Sequence, residues 1–223
     1  MSFAHPRVLF GEQEISGTSR LRAEGEKSGE VLVKKSVSTK LKNQKIMTIR
    51  EKYTAFHIAN YFLWRAWEEG VEVTPLKLIK LVYIAYGWNL VLNKDEKRKR
   101  LFEERIEAWK YGPVIPSIYH EFKRFGNNPI KEGYYATALN DIPIVRSDDS
   151  GILKILNSEW RHYKDKSGVE LSAITHEGDA WHNAYYKEGA NSVLNDDDIK
   201  KRAIEGIGEY LKRFSLEQNN TTK

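Results

Sequence analysis

Apolar residues recur at helical spacing through Ala55, Ile58, Ala59, Phe62, Leu63, Ala66 and Trp67, and Gly70 follows the run. This predicts an amphipathic helix that a glycine ends. In the next run, Thr74 to Trp88, Thr74 is placed to cap a helix and Pro75 to occupy its first position. Leu76, Leu78, Ile79, Leu81, Val82, Ile84 and Ala85 surround that helix almost completely, and only Lys77, Lys80 and the tyrosine hydroxyls interrupt them. A helix apolar on nearly every side belongs at the centre of a fold. The segment Phe102 to Pro116 changes period: Phe102, Glu104, Ile106 and Ala108 alternate with Glu103, Arg105, Glu107 and Trp109. It therefore predicts a short extended piece that turns at Gly112-Pro113 and enters a helix at Pro116, carried by Ile118, Tyr119, Phe122 and Phe125.

The remainder is helical apart from one stretch. Gly126 to Gly151 has scattered Gly, Pro, Asn and Asp, with Ile142, Ile144 and Val145 as a short strand. Ile152, Ile155, Leu156, Trp160 and Tyr163 return to the helical period and end near Gly168. A last helix, capped by Asn195 or Asp196, has Ile199, Ala203, Ile207, Tyr210, Leu211 and Phe214 as its apolar side. The expected fold is mainly α: one compact helical domain around a buried central helix, with a minor extended element. Residues 47–215 are expected to form that domain, residues 1–46 a disordered basic tail and residues 216–223 a flexible terminus.

Composition and charge refine this picture. The 223 residues are 40% hydrophobic and 30% charged, enough for a sizeable core, and the net charge is +5. Most of the excess lies in residues 1–46, with nine Lys or Arg against five Glu; residues 47–223 hold twenty-seven against twenty-six. The folded part is thus expected to lack the basic footprint that phosphate binding requires, and its one dense basic cluster, Lys94 to Arg100, is diluted by Asp95 and Glu96. Met47 stands just before the first helix, which raises the alternative that translation starts there. Cysteine is absent, which removes disulfide and thiolate chemistry and is compatible with a cytoplasmic location. No apolar run approaches the ~20 residues of a spanning helix, so no membrane partner is expected.

The motifs in the middle of the chain resemble those of the Panacea antitoxin domain, a family associated with phages and toxin–antitoxin loci that includes GepA-like and SocA-like proteins. They are Lys77-Leu78-Ile79-Lys80-Leu81 followed by Tyr83, Ala85 and Gly87, then Ala108-Trp109, Gly112-Pro113-Val114, Tyr119 and Gly126. Leu171-Ser172, Thr175-His176 and Trp181 match more loosely. Ile79 departs from the pattern, since the family often has glutamine there. The resemblance covers roughly residues 53–185 and implies an antitoxin, not an enzyme, that binds a cognate protein toxin encoded nearby. In the SocA branch, it implies delivery of the toxin to a ClpXP-type protease. It also makes Lys77, Lys80, Tyr83, Trp109, Tyr111, Gly112, Pro113, Val114, Tyr119, His176 and Trp181 the candidate site residues.

Each candidate also has a structural reading. The stems of Lys77 and Lys80 can lie along the core while their ammonium groups reach water or a carboxylate such as Glu107, and this is favoured over contact with a partner. Trp109, Tyr111 and Tyr119 are expected to pack the corner, although an exposed member would suit an interface. His176 and His182, with Glu177 and Asp179 nearby, define a metal-dependent enzyme as one alternative; the favoured reading has His176 ending a helix, Asp179 capping the next and Trp181 anchoring it. No cofactor is expected. Alternation separates Glu104 from Glu103 and Glu107, so no carboxylate pair is forced together, and no nucleophile elbow, phosphate loop or dinucleotide fingerprint occurs. The other alternative is a nucleic-acid-binding regulator that uses the basic tail.

Overall fold

In a computed structural model, residues 52–94, 99–139, 141–177 and 179–221 are described, and they fall within one compact unit. The expected tail of residues 1–46 and the alternative start at Met47 lie outside the described residues. The fold is mainly α. Helix α1 (Ala55–Glu68) leads to α2 (Pro75–Leu92), then strands β1 (Glu107–Trp109) and β2 (Gly112–Val114) and helix α3 (Pro116–Phe122), which runs on as a 3₁₀ turn, Lys123–Phe125. Helices α4 (Ser150–Tyr163), α5 (Gly168–His176) and α6 (Asp179–His182) follow; α6 continues as a π-helical turn, Asn183–Glu188, before α7 (Asp196–Thr221).

Helix α2 is the axis of the fold because its sequence leaves it no outward face. It is buried from Leu78 to Asn89 without interruption and packed by α1, α4, α5 and α7. Each large aliphatic side chain so enclosed contributes about 1.5–3 kcal/mol relative to exposure. Thr74 caps the helix as its sequence position predicts, with Oγ1 accepting from Lys77 N at 3.3 Å, and Pro75 occupies the first turn. Near its C-terminal end, Gly87 lets α7 approach: a Cβ at that position would stand 3.1 Å from Ala203 Cβ and 3.3 Å from Ile199 Cγ2. Asn195 begins α7, its Oδ1 accepting from Asp197 N at 2.8 Å, and three aspartates follow at the positive end of the helix.

The expected short strand at Ile142 to Val145 is absent. Pro143 interrupts it, Ile142 and Ile144 are exposed, and the region forms only an isolated bridge between Ala138 and Asp141. Its anchor is instead a buried polar residue of α1. Asn60 Nδ2 donates to Ala136 O at 2.9 Å and Pro143 O at 3.0 Å, and Asn60 Oδ1 accepts from Ala136 N at 2.9 Å. The apolar side of α7 is also shorter than its sequence suggests. Ile199, Ala203 and Ile207 are buried, whereas Leu211 and Phe214 are exposed.

Strands β1 and β2 pair antiparallel, with Ala108 opposite Pro113 and Trp109 opposite Gly112. The other edge of β1 is closed by the segment before α7. Ala108 N donates to Ser192 O, Asn191 N to Ala108 O and Leu194 N to Ile106 O, each at 2.8 Å. The extended piece predicted from Phe102 is regular only from Glu107, but its alternation survives: Phe102, Ile106 and Ala108 point into the core.

Candidate functional site

Lysine 80, in the middle of α2, is wholly enclosed. Its stem spans the core, and its Nζ donates to Tyr111 O at 2.7 Å and to Pro113 O at 3.0 Å, the two carbonyls that flank Gly112. Burial pushes the Lys80 ammonium down to about 7. A neutral amine retains two N–H groups, and two carbonyls face it, so the latch works without a charge. This corrects the expectation that Lys80 reaches water or a carboxylate: the Glu107 carboxylate is taken by the indole N–H of Trp109 at 2.9 Å.

Gly112 makes the close approach possible. Its φ is +94°, and a Cβ there would fall 2.6 Å from Lys80 Nζ and 3.0 Å from His176 Cε1. Helix α5 closes the far side of the corner. Ser172 Oγ donates to Tyr111 O at 3.0 Å, and His176 Nδ1, which faces the carbonyl of Ser172 at 2.6 Å, carries the proton it donates there. The hydroxyl and the imidazole are thus both committed to backbone carbonyls, so this Ser–His neighbourhood is built as a clamp and not as a nucleophile with its base.

The aromatic candidates surround the clamp. Trp181 donates its indole N–H to Trp109 O at 2.8 Å and lies 4.3 Å, ring to ring, from His176. Trp109 packs edge-on against Tyr119 at 4.9 Å, and Val114 is buried beneath. Beyond Trp181 the π-helical turn directs two consecutive tyrosines to the same side: Tyr185 stacks on Trp181 at 4.8 Å, and Tyr186 meets Trp181 edge-on at 5.7 Å and His182 at 4.8 Å. Tyr111 is 67% exposed and Tyr186 65% exposed, so the tips of both elements face solvent while everything behind them is fixed. Tyr111 therefore departs from the expected corner packing.

Two candidates lie elsewhere. Lys77 sits one turn before Lys80, and its Nζ donates to Glu72 O at 3.3 Å and Lys164 O at 2.6 Å. It satisfies a carbonyl at the end of α4, so it too reaches backbone and not the expected water or carboxylate. Tyr83 borders a small cavity of about 30 Å³ on the α5–α7 side, beside Arg202. His176 and His182 each pack against a different ring, Trp181 and Tyr186. Among the described residues, no group of three or more His, Cys, Asp or Glu is placed to hold a metal ion. Tyr185 and Tyr186 escape a reading by motif; the density of rings after Trp181 is the one signal in the sequence that points to them.

A buried lysine that holds a glycine corner by its carbonyls, with exposed rings around it, defines a helical scaffold that presents an aromatic face. Residues 78–182 match the antitoxin SocA-like Panacea domain family. It is similar to Antitoxin SocA of Caulobacter vibrioides (strain NA1000 / CB15N), with 31% identity over 132 residues that cover 56% of this chain and 66% of that protein, just under two thirds of the relative's length. No solved structure matches it. No helix among the described residues is long and apolar enough to cross a membrane.

Proposed function

We propose that this domain is an antitoxin that neutralises a cognate protein toxin by binding it directly, through the face made by the β1–β2 corner and the π-helical turn. The observation that supports this reading is the pairing of exposure with rigidity. Tyr111 and Tyr186 are more than three-fifths exposed, yet the Tyr111 carbonyl is held by Lys80 and Ser172, and Tyr186 extends from a π-helical turn in which Ala184 O accepts from Ser192 Oγ at 2.6 Å. Large rings presented without an ordering cost are what interface hot spots use. The segment 127–150 and Lys94 to Arg100 are further places for contact. Arg100 is already paired with Asp196 at 2.8 Å, and residues 95–98 lie outside the described residues.

The test is co-expression with the product of the adjacent small gene, scored for growth and for co-purification. The expected result is rescue with a stable complex. Replacing Tyr111 and Tyr186 by alanine together is expected to weaken that complex at least about tenfold, at about 1–2 kcal/mol per ring, with the unfolding midpoint little changed. Full affinity in the double variant would move the interface elsewhere. Rescue accompanied by loss of the toxin, dependent on a ClpXP-type protease, would replace simple inhibition with delivery for proteolysis.

A further inference from the structure

A second face, formed by α1, α4 and α7, has a different chemistry. A cleft of about 390 Å³ is lined by Arg65 of α1 and by Lys154, Asn157, Ser158 and Arg161 of α4. A second cleft, about 150 Å³, lies on the other side of Arg161 and is lined by His162, Tyr210, Arg213 and Phe214. Arg161 is common to both, so the two form one basic track with aromatic rings at one end.

The cations on this track are incompletely matched by carboxylates. Lys154 and Arg161 have no ion-pair or hydrogen-bond partner among the described residues. Arg65 is paired with Glu69, but its Nε is buried without an acceptor. Glu69 is itself shared, since it also accepts from Lys164 at 2.9 Å and from the indole of Trp160 at 3.1 Å. Neither cleft has a carboxylate in its lining.

From this we infer that the α1–α4–α7 face docks an acidic segment of a partner protein. Lys154 and Arg161 are two helical turns apart on the outer side of α4, a rise of about 10.5 Å, which complements carboxylates two turns apart on an acidic helix. Tyr210 and the exposed Phe214 then meet an apolar side chain at one end of that segment. A nucleic-acid strand fits less well. Its charge repeats at every unit, whereas the row of cations here is interrupted by the neutral Asn157 and Ser158, and Arg65 is already engaged by Glu69. This inference does not rest on the aromatic face, so the two surfaces stand or fall separately.

The probe is a labelled peptide with glutamates at two-turn spacing and a terminal Leu-Phe, titrated into the full chain, beside a labelled thymidine oligonucleotide of equal charge. Saturable peptide binding that weakens with salt is expected, with at least about a tenfold loss in Arg161→Glu and a similar loss in Lys154→Glu. Both side chains are exposed, so thermal unfolding serves as the control, and either variant suffices if the other fails to fold. Unchanged peptide affinity in a folded variant would overturn the proposal, as would tighter binding of the oligonucleotide with the same sensitivity to Arg161→Glu.

Discussion

Lys80→Ala is expected to cost about 3–5 kcal/mol, among the largest losses available to a single substitution in this chain. Two effects combine. Removing an enclosed stem leaves a cavity in the core, comparable to truncating a buried methionine. In addition, Pro113 O loses its donor, while Tyr111 O retains Ser172 Oγ. Lys80→Met keeps the volume and removes only the donors, so about 1–3 kcal/mol is expected and the difference between the two variants isolates the cavity. Gly112→Ala attacks the same latch from the other side. The φ of +94° strains any Cβ by about 1–3 kcal/mol, and the methyl also displaces Nζ. Because Lys80→Met has already removed that Nζ, the double variant is expected to cost less than the sum of the singles. Urea unfolding of the wild type, the three single variants and the double variant measures all of this, and strict additivity would show that the glycine and the lysine are not one device.

The latch also has a pH signature whose direction follows from burial. The unfolded lysine titrates near 10.5 and the folded one near 7. Between those values the unfolded chain binds more protons, so stability rises with pH, by at most about 1.4 kcal/mol for each pH step of one. Below about 7 both states are protonated and the contribution is flat. Lys80→Met is expected to remove this rise.

Where the chain decides its structure locally, the sequence is readable. The Thr74 cap, Pro75 and Pro116 in their first turns, and the break at Gly70 depend on neighbours within a few positions, and they stand where those residue types predict. Pairings that tertiary packing settles are not readable in this way. Lys80 and Glu107 look like natural partners, but the indole of Trp109, two residues from Glu107, takes the carboxylate first, and the lysine meets carbonyls thirty-one and thirty-three positions away. Ile142, Ile144 and Val145 have strand residues but no second strand, so their pattern is satisfied by no pairing. The aromatic face was half visible: Trp109, Tyr111 and Trp181 stand out as motif residues, whereas Tyr186 reaches solvent only because α6 widens into a π-helical turn.

Glutamate 159 was also legible in principle, because it continues the stripe Ile152, Ile155, Leu156 as its next core position, and it gives the other large effect. Its side chain is fully buried, and neither carboxylate oxygen has a hydrogen-bond partner among the described residues. Burial alone holds its carboxyl well above the usual carboxylate range. The folded state therefore retains a proton that the unfolded chain releases above about 4.5, and stability falls as pH rises from there towards the folded value. Glu69, Glu103 and Glu170 shift the opposite way and favour the fold as pH rises, so the whole protein mixes both slopes. The difference between wild type and Glu159→Gln isolates the buried group. The two are expected to be close at pH 4 and to diverge towards pH 8, with the glutamine variant more stable by about 1–3 kcal/mol. Glu159→Met removes the unpaired polar atoms as well and is expected to be the more stable of the two across the range. Urea midpoints at a series of pH values check this, and a wild-type advantage that grows with pH would mean that Glu159 is ionised and paired in solution.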